Sequence, residues 1–329
     1  MALPVSMGEL NRLGDRLAES ESPSEADHAL LASALAAYQE ILELVKSDLQ
    51  TLGFAPTGRA KTTKTMVDKL RRTHGMQLSR VQDLAGARIT VRDFQAQDEC
   101  KDKISQFYSG QGCDCKTIDR RIDPRFGYRA VHLVVRINGI LVEVQIRTEL
   151  QDSWAQIFER LADRWGRGIR YGEDPENPEA RVRSGSFSYS RRESVQLLMR
   201  LSDSIYNLED TRKSLEDVRR QVKVLDLKTA EARDKFSSDL MTIPFPIKHD
   251  AVWADFVGIL NELPQYMNAE CRELLANDKR TLGGFVQMTE FISAFMQRKV
   301  DQLASQLASS DEQVRATLTL VANAADEGV

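Results

Sequence analysis

The chain has 329 residues, with 45 Lys and Arg against 49 Asp and Glu, a formal net charge of −4 and 42% hydrophobic residues. This composition is typical of a globular protein and excludes collagen-like and wholly disordered chains. No apolar run approaches the roughly 18–20 residues that span a bilayer, and no basic N-terminal segment precedes an apolar core. We therefore expect neither a membrane span nor a secretory signal, and the length favours two domains.

The four cysteines, Cys100, Cys113, Cys115 and Cys271, are too few and too scattered for the disulfide framework of a secreted protein. Cys113 and Cys115 form the one close pair in the sequence, and no second pair at zinc-site spacing accompanies them. We expect structural thiols in a cytoplasmic protein.

The N-terminal half begins with predicted helices. Apolar residues recur every three to four positions in residues 26–52, which predicts an amphipathic helix that ends before Gly53. A second helix is predicted over residues 59–75 and ends near Gly75. The first prediction rests on apolar spacing, and both take glycine as the helix stop.

Beyond these helices the apolar period becomes that of strands. Residues 85–92 predict a short strand, and an amphipathic helix follows it. The β-branched runs 132–137 and 140–147 are joined by Asn138-Gly139, which predicts a hairpin with a type I′ turn.

The second strand of this hairpin has one polar and one apolar face. Side chains alternate along a strand, so Glu143, Gln145 and Arg147 share one face while Val142 and Val144 take the other. A strand face with this polarity lies either over a wet cleft or against solvent.

The C-terminal part is predicted to be helical. A helix is predicted over residues 149–165, and the charged, Gly- and Pro-rich segment after it marks a domain boundary. Beyond it, apolar residues at intervals of seven predict long packed helices. This repeat comprises Leu201, Leu208, Leu215 and Val222. The predicted parts are an N-terminal segment (1–25), an α+β domain (26–166), a linker (167–188) and an all-helical regulatory or interaction region (189–329).

A basic segment follows the first predicted helix. It carries six cations against the single acid Asp68: Arg59, Lys61, Lys64, Lys69, Arg71 and Arg72. Such a segment is either the solvated face of a helix or a cradle for a polyphosphate. In a cradle, lysines act as point charges and arginines as planar forks.

Two acidic residues lie at or within predicted strands. Asp83 precedes the first strand, and Glu143 lies in the middle of the hairpin's second strand. Mg²⁺ takes carboxylate oxygens and bridges to phosphates, so this pair would suit a metal beside a polyphosphate. Taken alone, Asp83 is equally well explained as a turn or cap residue.

A third cluster lies between Pro124 and His132. Gly127 permits an unusual turn, the Tyr128 ring offers a stacking surface, and Arg129 and His132 flank it. The structural alternative is a tyrosine packed at the start of a strand.

The order and spacing of these clusters resemble the synthetase domain of the RelA/SpoT family, the nucleotidyltransferase-like enzymes that make (p)ppGpp, and in particular its small and toxic small alarmone synthetases. The resemblance covers roughly residues 30–165. It rests on four motifs: Arg59-Ala60-Lys61-Thr62, Asp83-Leu84-Ala85-Gly86-Ala87-Arg88, Gly127-Tyr128-Arg129-Ala130-Val131-His132 and Glu143-Val144-Gln145-Ile146-Arg147-Thr148.

The resemblance implies an α+β fold, with a nucleotidyltransferase-like mixed β-sheet flanked by helices and followed by the all-α region. It also implies transfer of the β,γ-pyrophosphate of ATP to a ribose 3′-hydroxyl with AMP leaving. Such a transfer requires charge neutralisation and in-line positioning. Asp83 and Glu143 would hold Mg²⁺, and Glu143 would alternatively activate the acceptor hydroxyl.

The resemblance also implies roles for the remaining motif residues. ATP would be bound by Arg59, Lys61, Thr65, Lys69 and Arg88. The two arginines would stack on adenine, and the lysines would neutralise the triphosphate. The acceptor side would be lined by Arg125, Tyr128, Arg129, His132, Gln145 and Arg147. Of these, Tyr128 would stack on the acceptor base.

The chain departs from the family pattern at four places, three of them on the acceptor side. Thr65 replaces a common Ser, Ala130 replaces the Ser of the third motif, and Pro124 stands where a basic residue is common. The segment 152–166 keeps Trp154 but lacks the family's histidine. ATP is therefore better supported as a substrate than any particular acceptor.

Several functions stay open at this point. Toxic members of the family modify the 3′-CCA end of tRNA or make an adenosine analogue of the alarmone, and Arg120, Arg121 and Arg125 would suit a long anionic acceptor. We favour tRNA slightly over GDP or GTP as the acceptor. We expect the C-terminal helices to bind an antitoxin, a regulatory protein or a second copy of the chain. An inactive nucleotide sensor is the third hypothesis, against which the presence of both Asp83 and Glu143 speaks.

The dipeptide His249-Asp250 resembles the HD motif of the family's hydrolases. Such a hydrolase needs further histidines and aspartates ahead of the synthetase, and the sequence has only four histidines. We therefore expect no hydrolase.

Overall fold

The computed structural model describes residues 3–20, 22–72, 75–81, 84–184, 187–235 and 282–327. The described helices are α1 (Met7–Glu19), α2 (Glu25–Thr51), α3 (Thr63–Arg72), α4 (Phe94–Gly110), α5 (Glu149–Trp165), α6 (Arg191–Lys235) and α7 (Leu282–Glu327). The described strands are β1 (Thr57–Ala60), β2 (Ala85–Val91), β3 (Asp114–Asp119), β4 (Val131–Ile137), β5 (Ile140–Thr148), β6 (Arg181–Ser184) and β7 (Phe187–Ser190).

A mixed five-stranded sheet forms the centre of the fold, in the order β1-β2-β5-β4-β3. β2 and β5 run parallel, and the other neighbouring strands run antiparallel. Helices α2 and α4 pack on one face of this sheet, where the alternate apolar residues of β2, β4 and β5 are buried. The predicted α+β class, with a mixed sheet flanked by helices and helical segments after it, is confirmed.

The hairpin of β4 and β5 has the predicted geometry. Ile137 pairs with Ile140 across the turn, and Asn138 and Gly139 have φ angles of 50° and 83°. Two consecutive positive φ angles define a type I′ turn, which asparagine and glycine adopt at low cost. This turn sets the register that places Glu143 opposite Val134 and Gln145 opposite His132.

The prediction of one helix over residues 59–75 is wrong at its start. Residues 57–60 form β1, and α3 begins only at Thr63. Gly58, with φ of 146°, makes the difference, because a Cβ there would lie 2.1 Å from the carbonyl oxygen of Gly86. Glycine alone lets β1 approach β2 this closely, and Arg59 therefore lies on a strand instead of a helix.

The predicted linker, residues 167–188, contains regular structure. A single 3₁₀ segment occupies Arg167–Tyr171, and β6 and β7 pair as a short antiparallel hairpin. The N-terminal segment likewise contains α1, whose Leu10, Leu13 and Leu17 are fully buried.

The chain divides into two compact units, Met1–Tyr206 with Arg315–Val329, and Asn207–Val314. In the second unit α6 and α7 lie antiparallel, since Arg212 pairs with Asp311 and Ser293 donates to Asp226. The apolar residues of α6 that repeat at seven are buried as predicted.

Two sequence features, the dipeptide His249-Asp250 and Cys271, lie outside the described residues. Within the described parts of the chain, no helix has the length and apolarity that a membrane crossing requires. The thiol of Cys100 is buried, and burial raises its pKa to about 12, which agrees with a structural role.

Candidate active site

The sheet brings predicted site residues into one row. Arg88 of β2 pairs with Gln145 of β5, which in turn pairs with His132 of β4. Glu143 and Arg147 lie two residues to either side of Gln145 and therefore share its face of the sheet. Strand pairing alone thus gathers residues from three of the four motifs on the face opposite α2 and α4.

Five side chains on this face form a closed ring of hydrogen bonds. Arg147 donates to the Tyr128 hydroxyl oxygen at 3.2 Å and to Gln145 Oε1 at 2.9 Å. Gln145 Nε2 donates to Glu143 Oε2 at 2.8 Å. His132 closes the ring, with Nε2 3.0 Å from the Tyr128 hydroxyl and Nδ1 2.8 Å from Glu143 Oε1. We call these residues the site ring.

The chemistry of the donors orients the protons in the site ring. Arginine only donates, so the Tyr128 oxygen accepts from Arg147; in the tautomer of neutral His132 whose Nε2 is unprotonated, the Tyr128 proton meets Nε2. The other nitrogen, Nδ1, then carries the proton that meets the Glu143 carboxylate. In this arrangement each of the five hydrogen bonds of the ring joins a donor to an acceptor, and both oxygens of Glu143 are held.

Burial raises the pKa of the Tyr128 hydroxyl, and the nearby Glu143 carboxylate adds to this effect, while Arg147 opposes it. The hydroxyl therefore keeps its proton at neutral pH and remains a donor to His132. The guanidinium of Arg147 also lies over the Tyr128 ring, 5.1 Å from its centroid. One face of the ring is thus covered by a cation, and the ring is fixed in place.

Asp152 is a site residue that sequence reasoning missed. Its Oδ1 lies 3.1 Å from Arg147 and 3.3 Å from Arg88, and its Oδ2 accepts from Gln156 at 2.6 Å. A capping box at Thr148 begins α5 directly after β5. Asp152 lies in the first turn of this helix and is therefore placed beside the two arginines. The signal in the sequence was an acid in the first helical turn after a strand that carries Arg147.

A cleft of about 800 Å³ opens beside the site ring. Its lining includes all five members of the ring and several further cations: Lys69, Arg80, Arg120, Arg125 and Arg170. Arg170 is neutralised by Glu159 and Asp163, at 2.6 and 2.9 Å. The cleft therefore has an excess of positive charge, which favours an anionic ligand.

The three arginines ahead of Tyr128 have different surroundings. Arg120 and Arg125 line the cleft. Arg121 instead pairs with Asp98 at 2.8 Å and with Asp119 at 2.6 Å. Two of the three are therefore available to a ligand in the cleft.

A second, smaller cavity of about 430 Å³ lies along β1 and β2. It is lined by Thr57, Gly58, Gly86, Ala87, Arg88 and Gln145. Gln145 borders both cavities, so the two spaces meet at the middle of the sheet.

The predicted ATP-binding residues are only partly described. Lys69 lines the larger cleft, and the backbone N–H of Lys61 donates to Leu84 O at 2.8 Å. The backbone of Arg59 pairs with Gly86 in the sheet. The side chains of Arg59 and Thr65, and the whole of Asp83, lie outside the described residues.

The structure does not bring Arg129 to the cleft, in contrast to the prediction. Its side chain is buried and donates to Ser202 Oγ at 3.1 Å and to Asp203 at 2.6 Å. Its guanidinium also lies over the Tyr206 ring, 4.8 Å from the centroid. The reason is the strand-like alternation of side chains, which turns Arg129 away from the face that Tyr128 occupies.

Glu143 fits one place in a Mg²⁺ site. Mg²⁺ usually takes one or two protein carboxylates and completes its coordination with water and substrate phosphates. The Glu143 carboxylate borders the cleft, with one oxygen against His132 Nδ1 and the other against Gln145 Nε2. The described residues contain no group of three or more His, Cys, Asp and Glu that could hold a metal unaided. Glu143 thus supplies one carboxylate at the cleft, the type of ligand that Mg²⁺ takes together with substrate phosphates.

Comparison with known proteins agrees with this geometry. A family model described as "Region found in RelA / SpoT proteins" matches residues 58–162. Uncharacterized proteins of Mycobacterium bovis and Mycobacterium tuberculosis are 38% identical over 187 residues, which cover 54% of this chain and 67% of each relative. The chain belongs to the RelA/SpoT family. The matched RelA/SpoT region contains the site ring and Asp152, and the resemblance based on the four motifs is confirmed.

The similar solved structures are more distant in sequence. The small alarmone synthetase 1 from Bacillus subtilis is 23% identical, with a TM-score of 0.42 over 56% of this chain and 94% of that chain. A GTP pyrophosphokinase family protein from Streptococcus pneumoniae is 22% identical, with a TM-score of 0.38 over 56% of this chain and 89% of that chain.

Proposed function

We propose that the RelA/SpoT domain is an ATP-dependent pyrophosphokinase, which transfers the β,γ-pyrophosphate of ATP to a ribose 3′-hydroxyl. The site ring is the observation that carries the proposal. It holds the carboxylate of Glu143 beside a cationic cleft, where an acceptor hydroxyl and a polyphosphate would meet. Pyrophosphoryl transfer depends on positioning and charge stabilisation more than on covalent assistance, and this site supplies both.

Glu143 would accept the hydrogen of the 3′-hydroxyl as that oxygen attacks the β-phosphorus of ATP and AMP leaves. His132 and Gln145 hold the two carboxylate oxygens, so the group is oriented before the acceptor arrives. Mg²⁺, when bound by Glu143 and Asp83, would neutralise charge on the phosphates. We assign the adenine to Arg88 and Arg59 and the triphosphate to Lys61, Thr65 and Lys69.

For the acceptor we propose the 3′ end of tRNA. Arg80, Arg120 and Arg125 line the cleft and have no carboxylate partner within the described parts of the chain. Phe126 and Tyr171 line the same cleft and are 45% and 53% exposed. Exposed rings beside arginines bind single-stranded nucleic acid through base stacking and phosphate contacts.

A guanosine nucleotide is the second candidate acceptor. Tyr128 favours it, because Arg147 covers one face of its ring and the other face would stack on a single base. Arg120 and Arg125 would then bind the 5′-phosphates of that nucleotide.

The test uses the purified full chain with Mg²⁺ and ATP labelled in its terminal phosphate. GDP, GTP, ATP and deacylated tRNA are offered as acceptors in separate reactions. Label on tRNA alone supports the proposed acceptor, and label on GDP or GTP supports the second candidate. No label on any acceptor would contradict the pyrophosphokinase and favour a nucleotide sensor.

The variant Glu143→Gln should lower the rate of transfer by about 10²–10⁴-fold, the usual range for loss of a proton acceptor. Glu159→Gln is the matched control, because Glu159 lines the same cleft but pairs with Arg170. Nucleotide binding by the Glu143 variant should remain measurable by calorimetry. Equal transfer rates in the two variants would remove Glu143 from the reaction.

A further inference from the structure

The first turns of α6 hold the backbone next to Tyr128. Ser202 Oγ donates a hydrogen bond to the carbonyl oxygen of Gly127, and the same Oγ accepts from Arg129 Nε at 3.1 Å. Ser202 is 3% exposed, so these contacts replace water at this position. One serine thus contacts the residues immediately before and after Tyr128.

Arg129 fixes the segment around Tyr128 through several hydrogen bonds. Besides Ser202, it donates to Asp203 and to the carbonyl oxygen of Arg121. Its guanidinium covers the Tyr206 ring, which in turn contacts the Phe94 ring of α4 at a centroid distance of 5.6 Å and a tilt of 57°. A charge buried this deeply is stable only with such a full set of partners.

Gly127 leaves no room for the loop to move towards the helices. It has φ of 77°, and a Cβ there would lie 2.7 Å from the Trp154 ring and 2.8 Å from Met199 Sδ. Trp154 is itself fixed to α6, because its Nε1 donates to Leu198 O at 2.6 Å. The loop therefore packs directly against both α5 and α6.

Tyr128 needs this support because its hydroxyl has two fixed partners. It must lie at hydrogen-bonding distance from both Arg147 and His132, and such bonds weaken within a few tenths of an ångström. Residues 191–206 lie beyond the region that the family model matches. The Tyr128 ring is thus positioned in part by residues beyond the range that the family model matches.

We propose that Arg129, Ser202, Asp203 and Tyr206 act together as an acceptor clasp, which positions Tyr128 for the acceptor base. The clasp touches neither the acceptor nor ATP, so its members are positioning residues. This inference rests on the proposed function of the same site. It predicts that the start of α6 is required for acceptor binding, although the helix lies outside the matched domain.

The test compares Ser202→Ala with Ser204→Ala in the full chain. Ser204 lies on the same helix, and its hydroxyl donates to Arg200 O. We expect Ser202→Ala to raise the acceptor Kd and KM by roughly tenfold, as loss of a buried hydrogen bond implies, with the Kd for ATP unchanged. Ser204→Ala should match the parent chain. Asp203→Asn, at an exposed position, should shift acceptor binding in the same direction by a smaller factor.

Equilibrium binding of GTP, of deacylated tRNA and of ATP is measured together with transfer. Failure of the proposed pyrophosphokinase activity can then be distinguished from failure of the proposed clasp. Absence of transfer by the parent chain would contradict the pyrophosphokinase. Unchanged acceptor binding in Ser202→Ala, or an equal loss of ATP and acceptor binding with a lower Tm, would overturn the clasp. Weaker acceptor binding alone, with Tm and ATP binding retained, would support it.

Discussion

The two sides of the site differ in how firmly their described side chains are held. On the acceptor side, each member of the site ring has two partners within the ring. On the ATP side, the Arg88 side chain is 38% exposed and pairs with Asp152. Preorganised groups bind a ligand without an ordering cost, whereas mobile ones must be fixed on binding. Under the proposed function, the preorganised side would select the acceptor, and binding of ATP would fix the more exposed Arg88.

The largest effect is expected at Asp152, which contacts Arg147 on the proposed acceptor side and Arg88 on the proposed ATP side. Asp152→Ala leaves the buried Arg147 without its carboxylate and releases Arg88, so the KM for ATP and for the acceptor should both rise. We expect kcat/KM to fall by about 100-fold, measured against each substrate in turn.

Asp163→Ala is the matched control, since the exposed Asp163 lies on the same helix and pairs with Arg170 at 2.9 Å. It should change either KM by less than about twofold. An Asp152 variant that altered the KM of one substrate only would show that the two sides are independent.

Variants of Tyr128 test the proposed acceptor side. Tyr128→Ala removes the stacking ring, so the acceptor KM should rise by about tenfold or more while the KM for ATP stays near its parent value. Tyr128→Phe keeps the ring and removes the hydroxyl from the site ring. It should therefore give a smaller rise in the acceptor KM. Equal effects of Tyr128→Ala on both substrates would remove the stacking assignment.

The smallest effect is expected on the ATP side. Arg88→Ala removes one cation from the adenine, so the KM for ATP should rise by about 3- to 30-fold with little change in the acceptor KM. Arg92→Ala is the control, because Arg92 follows β2 and pairs with Asp93 at 2.7 Å. An unchanged ATP affinity in Arg88→Ala would defeat the adenine assignment.

Local patterns in the sequence predicted the parts of the site that one strand or one turn determines. Asn138-Gly139 set the hairpin, and alternation along β5 placed Glu143, Gln145 and Arg147 on one face. These predictions needed no knowledge of distant residues, because turn chemistry and strand period are properties of adjacent residues.

The features that were missed depend on tertiary contacts. Asp152 reaches the arginines only because α5 folds back over the sheet. Arg129 was assigned to the cleft from its place in a motif, although its partners come from α6, more than seventy residues later in the chain. β1 was overlooked because its pairing depends on the contact of Gly58 with Gly86.

The most direct test of the central claim is the identity of the product that ATP leaves. The full chain is incubated with ATP, Mg²⁺ and each acceptor, and the adenine nucleotides and the acceptor are then resolved by chromatography and mass spectrometry. A pyrophosphokinase produces AMP in equal amount to an acceptor that has gained two phosphates. Formation of ADP with a singly phosphorylated acceptor, or the absence of AMP with every acceptor, would contradict the account.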